Sequence, residues 1–416
     1  MKKSIKSVIV YSLVSAISGA ISFLLLPVLT QYLAPSDYGL LSIYNALIRF
    51  LALIIPFGMT HILLVDLTID KLKFQSSFSS FIKSTIYTTL ILVFIFSIVS
   101  LFSGDFFGVA YTYLFFIPIL ALLVVYFELF TSILVFSQEV KRFAIFNLGK
   151  YSVETGLTIL LIIFLGQGWF GRFIALIISI LFILPFFIRY LKINSLLPKL
   201  SQIKNPSKTK ELLKKGSPLI LMSLSILLIN LSDRFFIEEM VGIDETGRYS
   251  VASSIASLML MLIAALMKVV RPILYQKLNE PILDKSYIRK ATILYHFFLL
   301  FIAIILIFLL PFIYNELINA NFISSINYCW ILVVSLFFWG GYSFFISFSI
   351  HSGKNKVNGI ISVLAIVINL ILNAFLIKIY GTPGAAYATI FTYLFMFISS
   401  ILIYLFLNEN ISRKNF

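Results

Sequence analysis

The sequence predicts an all-α integral membrane protein of twelve transmembrane helices, arranged as two six-helix bundles. Three observations predict it. Of 416 residues, 60% are hydrophobic and only 12% are charged, with a mean hydropathy of +1.04. A soluble protein could not cover that much apolar surface with so little polar material. Twelve stretches are long enough to cross, since a helix needs about 20 apolar residues to span the hydrocarbon core. The basic residues also alternate: 26 of the 32 Lys and Arg lie in the two tails and the even-numbered connections, against 3 in the odd-numbered ones. Basic loops stay on the cytoplasmic side. The alternation therefore calls for a crossing at every stretch, with both termini in the cytoplasm.

The first six spans are read at 8–29, 39–64, 82–102, 110–136, 143–165 and 172–189. The second six are read at 217–237, 249–270, 291–313, 324–349, 357–378 and 385–406. Lys2, Lys3 and Lys6 resemble the basic end of a signal peptide, but stretch 8–29 exceeds a cleaved apolar region of about 7–15 residues, so it is read as the first span. Pro27, Pro56, Pro118 and Pro185 fall within spans and are expected to kink them. The sixth connection holds Pro198, Pro206 and most of the mid-chain basic residues. It divides the chain into halves 1–190 and 217–416 with a cytoplasmic linker at 191–216, part of which is expected to lie on the membrane surface.

Short connections leave no room for a soluble catalytic domain, and the chain is read as a non-enzyme. There is no Gly-rich phosphate loop, nucleophile elbow or nucleotide motif, so no cofactor and no direct use of ATP is implied. His61, His296 and His351 show no ligand spacing, and no metal is expected. The single cysteine, Cys329, excludes an internal disulfide. A net charge of +15 would suggest nucleic acid in a soluble protein. Here the loop charges set topology and meet anionic membrane lipids, and no nucleic-acid partner is expected.

The halves repeat one another in two places. Tyr32-Leu-Ala-Pro-Ser-Asp-Tyr-Gly-Leu-Leu-Ser42 matches Met240-Val-Gly-Ile-Asp-Glu-Thr-Gly-Arg-Tyr-Ser250 at an offset of 208. Gly168-Trp-Phe-Gly171 matches Gly381-Thr-Pro-Gly384 at 213. Such turns are common singly, but both fall at equivalent helix junctions with nearly equal offsets, which indicates a duplication. Six spans is an even number, so the bundles are parallel repeats related by an axis along the membrane normal. That is a transporter architecture with a central lumen opened alternately to either face.

Several ordered motifs carry a family resemblance. They are Leu33-Ala-Pro-Ser-Asp-Tyr-Gly39, Gly216-Ser-Pro218, Asp233-Arg234, Gly247-Arg-Tyr-Ser250 and Gly381-Thr-Pro-Gly-Ala-Ala386. By these the chain resembles the Wzx-type O-antigen and polysaccharide flippases, in the superfamily that also holds multidrug exporters and the lipid II flippase. The resemblance implies translocation of undecaprenyl-diphosphate-linked O-antigen or capsular oligosaccharide from the cytoplasmic to the periplasmic leaflet of a bacterial inner membrane. It implies a cationic lumen and, as partners, the lipid-linked oligosaccharide, membrane lipids, and polysaccharide polymerase and chain-length machinery. Only Asp233 and Arg234 carry over by motif.

The other site residues follow from charge, because a charge in the bilayer is costly and usually faces a wet cavity or a partner. Arg49, Lys150, Arg234, Lys268 and Arg271 are candidate cations for diphosphate or acidic sugar. Glu128, Glu154 and Asp233 are candidates for carrying a coupling proton. Lys150 and Glu154 share one helix face, so pairing of Lys150 with Glu154, or with Glu128 at similar depth, is the structural alternative. Arg234 snorkelling to the surface and topology-setting roles for Lys268 and Arg271 are the others. Competing functions are a small-molecule or drug exporter, a membrane polysaccharide polymerase, which would carry a large periplasmic loop, and a metabolite porter.

Overall fold

Helices stand at every one of the twelve apolar stretches. The computed structural model describes residues 2–102, 105–106, 109–198, 206–280 and 285–414. Lys199 and Lys204 of the linker lie outside the described residues. In the first half the helices are α1 (Lys2–Tyr32), α2 (Pro35–Ile54), α3 (Met59–Ile69), α4 (Lys71–Phe102), α5 (Tyr111–Leu114), α6 (Phe116–Phe136), α7 (Val140–Ile159) and α8 (Gly168–Ile193). A two-residue antiparallel pairing, Asp105–Phe106 with Val109–Ala110, precedes α5, and a π-helical turn, Leu160–Phe164, extends α7. Then follow α9 (Pro206–Met240), α10 (Ile243–Leu278), α11 (Lys285–Leu317), a 3-10 turn (Ala320–Ser325), α12 (Ile326–His351), α13 (Asn355–Tyr380) and α14 (Thr382–Lys414).

Ten of these helices are long and apolar enough to cross a bilayer. Of the four that fall short, α3 and α5 are pieces of the second and fourth expected spans, and α7 and α9 stand at the fifth and seventh and carry Lys150, Glu154, Asp233 and Arg234. The chain is a multi-pass membrane protein. The second expected span is broken, with α2 ending at Ile54 and α3 starting at Met59. Pro56 cannot continue the hydrogen-bond ladder, and Phe57 and Gly58 turn through left-handed backbone at φ 44° and 74°. Gly58 also meets the backbone of Gly216, where an added Cβ would come within 2.8 Å of the Gly216 carbonyl carbon. Pro27 and Pro185 lie inside α1 and α8 as expected. Pro118 does not interrupt its span, because it sits in the first turn of α6, where the missing N–H has no helical partner to lose. The linker is partly helical: α9 begins at Pro206, and its exposed start pairs Lys208 and Lys215 with Glu211. Hydrogen bonds from Lys215 and Lys208 hold the Glu211 carboxyl below the usual carboxylate range.

The chain divides into two compact units, residues 1–33 with 37–227 and residues 228–416 with 34–36. In the first, α1 packs on α7, α7 on α8, and α4 on α3 and α6. The second is built round α12, which packs on α10, α11 and α14, with α13 on α14. Small residues let helices approach closely in a membrane. A Cβ on Gly340 would fall 2.7 Å from Leu299 Cδ1 of α11, and one on Gly341 would fall 2.7 Å from Phe397 Cδ2 of α14.

Candidate functional site

In the first unit α7 places Lys150 and Glu154 one turn apart, where they form an ion pair. Both are enclosed, at 6% and 4% exposure. Arg172, near the start of α8, completes the cluster: Nη2 lies 2.7 Å from Glu154 Oε1 and Nη1 donates to Thr158 Oγ1 at 2.9 Å. The Lys150 ammonium also lies 4.3 Å from the Tyr151 ring centre. The alternation of basic residues sets Arg172, the first residue of the sixth expected span, in an odd-numbered connection outside the membrane. The π turn closes the α7–α8 hairpin so that Arg172 instead faces Thr158 and Glu154. Counting outward from that hairpin would have set Arg172 and Thr158 at similar depth. Glu128 of α6 feels the charges of both Arg49 and Lys150. Arg49 and Glu128 remain open to the surface, and Arg49 forms no ion pair among the described residues.

In the second unit Asp233 is the centre of a buried polar network, itself 3% exposed. Tyr249 of α10 donates its hydroxyl to Oδ2, Thr389 of α14 donates to Oδ2 at 3.1 Å, and Asn373 of α13 donates to Oδ1 at 2.8 Å. Asn373 also donates to Asn369 Oδ1 at 3.2 Å, which accepts from Ser232 at 3.0 Å. Asn373 Oδ1 is buried without a hydrogen-bond partner among the described residues. Three helices thus surround one carboxylate with neutral donors. Arg234 points elsewhere, as adjacent helical residues must, donating to the Asn230 carbonyl at 2.7 Å and to Ser253 Oγ at 3.4 Å. Asn369 and Asn373 had a signal in the sequence, two amides four apart in an otherwise apolar span. Tyr249 and Thr389 had none.

Lys268 and Arg271 lie together in a cavity of about 540 Å³ between α10 and α12, with Trp339 and Tyr275 on its wall. Arg271 Nε donates to Ser347 Oγ at 3.2 Å. A smaller pocket of about 60 Å³ contains Asp233, Tyr249, Thr389 and Tyr393, and Leu260 lines both spaces. Trp339 packs on Tyr393 at 5.1 Å, and the Tyr393 hydroxyl donates to Asn230 Oδ1 at 2.9 Å. One face of α10, from Tyr249 through Ser253, Ser257 and Leu260 to Lys268, Arg271 and Tyr275, thus lines both spaces. At 1.5 Å per residue it runs about 39 Å. Two cations beside two aromatic rings suit a ligand that joins phosphate to sugar, since guanidinium pairs with phosphate oxygens. His296 is no part of this site; its Nδ1 lies 2.8 Å from the Thr292 carbonyl and its ring is boxed by Tyr295, Phe344, Phe345 and Phe397. Among the described residues no three His, Cys, Asp or Glu side chains group as metal ligands.

The fold is a multi-pass helical membrane architecture with a charged cavity beside a buried carboxylate. Solved structures share the fold. An inward-facing multidrug resistance MATE family transporter of the MOP superfamily aligns at 16% identity over 95% of each chain, with a TM-score of 0.70. The lipid II flippase MurJ in an inward closed conformation aligns at 17% identity over 95% of this chain and 87% of its own, with a TM-score of 0.74. An outward-facing MATE transporter aligns at 16% identity over 98% and 96%, with a TM-score of 0.64. No curated protein matches the sequence. The family model described as polysaccharide biosynthesis protein matches residues 4–277, and the chain belongs to that family.

Proposed function

We propose that the chain is a flippase. It carries undecaprenyl-diphosphate-linked O-antigen or capsular oligosaccharide from the cytoplasmic to the periplasmic leaflet of a bacterial inner membrane, by alternating access and with ion coupling. The observation that carries this reading is the cavity in which Lys268 and Arg271 stand beside Trp339 and Tyr275. Diphosphate meets the cations and sugar rings lie on the aromatic faces. Twelve crossings follow if the charged helices α7 and α9 also span. Asp233 is the coupling group: a carboxylate among neutral oxygen and amide partners can take up and release a proton or a hard cation as the helices around it shift. Family membership and the MurJ-like fold support the reading. The MATE-like fold and the aromatic wall equally favour a second one, export of small amphiphiles.

The test is complementation of a deletion strain, with surface polysaccharide and undecaprenyl-linked precursors both measured. The wild-type gene restores surface glycan. Lys268→Gln with Arg271→Gln, and separately Asp233→Asn, leave complete precursor units on the cytoplasmic face at normal protein level. Unchanged glycan in the deletion strain, with altered drug accumulation, would transfer the chain to the exporters.

A further inference from the structure

The face of α10 turned away from the cationic cavity borders a second depression, an apolar groove of about 390 Å³. Val270, Ile273 and Leu274 of α10 form one wall, and Ala291, Leu294 and Phe298 of α11 form the other. The floor is fixed before anything enters. Tyr295 is buried, donates its hydroxyl to the Gly340 carbonyl at 2.9 Å and stacks on Phe344 at 4.7 Å. The rim is open, with Leu294 69% and Phe298 46% exposed. Ala291 is the small side chain in the α11 wall and leaves the space its neighbours would fill.

Length and charge identify the occupant. From Tyr287 to Phe298 the groove runs about 16 Å at 1.5 Å per residue, close to half of a hydrocarbon core about 30 Å thick. It therefore matches one chain of one leaflet. Its charged end carries Lys277, one turn beyond Ile273 and Leu274, whose ammonium lies 5.2 Å from the centre of the Tyr287 ring. Lys290 flanks the same end from α11 and is exposed. Lys277 pairs with Glu280 at 2.8 Å, but both are solvent-open, and such pairs exchange partners readily. By the alternation of basic residues, this is the cytoplasmic end, where anionic head groups lie.

We propose that the α10–α11 groove is a binding site for an anionic phospholipid of the cytoplasmic leaflet, with one acyl chain between the helices and its head group held by Lys277 and Lys290. The site requires that the chain cross a bilayer and is independent of which substrate it moves. An undecaprenyl chain outruns the groove, and a neutral phospholipid brings no net negative charge to the two lysines.

Delipidated full-length protein is mixed with equal amounts of phosphatidylglycerol and phosphatidylcholine, and bound lipid is counted by native mass spectrometry. Wild-type protein retains phosphatidylglycerol over phosphatidylcholine by roughly thirtyfold, the scale expected for two lysines at an anionic surface. Lys277→Gln with Lys290→Gln brings the two lipids to equal retention. Ala291→Trp fills the groove and removes most bound phosphatidylglycerol while the melting temperature of the lipid-free protein stays unchanged; Ala291→Leu replaces it if that temperature falls. Undiminished retention in the groove-filling variants, an unchanged lipid preference in the double Gln variant, or displacement of phosphatidylglycerol by equimolar undecaprenyl phosphate overturns the proposal.

Discussion

At Glu154 two cations converge on one carboxylate within a helical bundle. Removing that charge leaves Lys150 and Arg172 facing each other, and breaking a buried pair in this way costs about 3–5 kcal/mol. Glu154→Gln is therefore expected to lower the melting temperature in detergent, and Lys150→Met with Glu154→Met to recover part of the loss. Exchanging Glu128 with Lys150 is a poor test of pairing, because it would set two carboxylates one turn apart on α7. Arg49 is the contrasting case, open to the surface and without an ion pair among the described residues. Arg49→Ala is expected to reduce glycan export by about tenfold or more, the scale of a lost paired contact to phosphate, while protein level and melting temperature hold. Normal export in that variant would remove Arg49 from substrate binding.

The helices differ in how openly the sequence announced them. Long apolar stretches located α8, α11 and α13 to within a turn or two, because hydropathy sums over many positions, whereas α4 starts at Lys71, about three turns before its expected span. The break between α2 and α3 was less open: Pro56 marked it, but the left-handed Phe57–Gly58 turn and its fit to Gly216 are tertiary facts. The polar site was half legible. Lys150 and Glu154 sit four apart on one helix, whereas Asp233 gathers Tyr249, Asn373 and Thr389 from three other helices whose juxtaposition no spacing encodes. At this scale α12 makes the sharpest prediction. Gly341→Leu drives a side chain into Phe397 of α14, and overpacking of this kind costs typically about 1–3 kcal/mol. Lower thermal stability is expected, with Gly341→Ala intermediate. A melting curve of Gly341→Leu that overlays the wild type would mean that α14 moves aside freely.

For the whole molecule the decisive quantity is the bias of Lys and Arg between alternate connections. It is a property of the entire chain, so no misplaced boundary erases it, which is why the membrane class was legible when the ligand cluster was not. The same reasoning explains how this fold is shared with structures at 16–17% identity: a lipid-facing helix asks for apolar side chains and seldom for particular ones. The bias also predicts orientation. In a Cys329→Ser background, a cysteine at Ser352 is expected to react in intact cells only with membrane-permeant maleimide. One at Ala320 is expected to react with the impermeant reagent as well; both positions are exposed. The opposite pattern would invert the topology and with it the direction of transport.

Helix α10 has a reading frame. One face borders the cationic cavity and another borders the apolar groove, at the same depth. Each inserted residue turns everything beyond it by about 100°. A single insertion between Leu260 and Leu266 would swing Lys268 and Arg271 off the cavity and reset the wall of the groove at once. Seven inserted residues would return both faces to within about 20° of register while sliding the cations roughly 10 Å along the axis. Length variation in this helix is therefore tolerated in steps of whole turns and disrupts both faces in between.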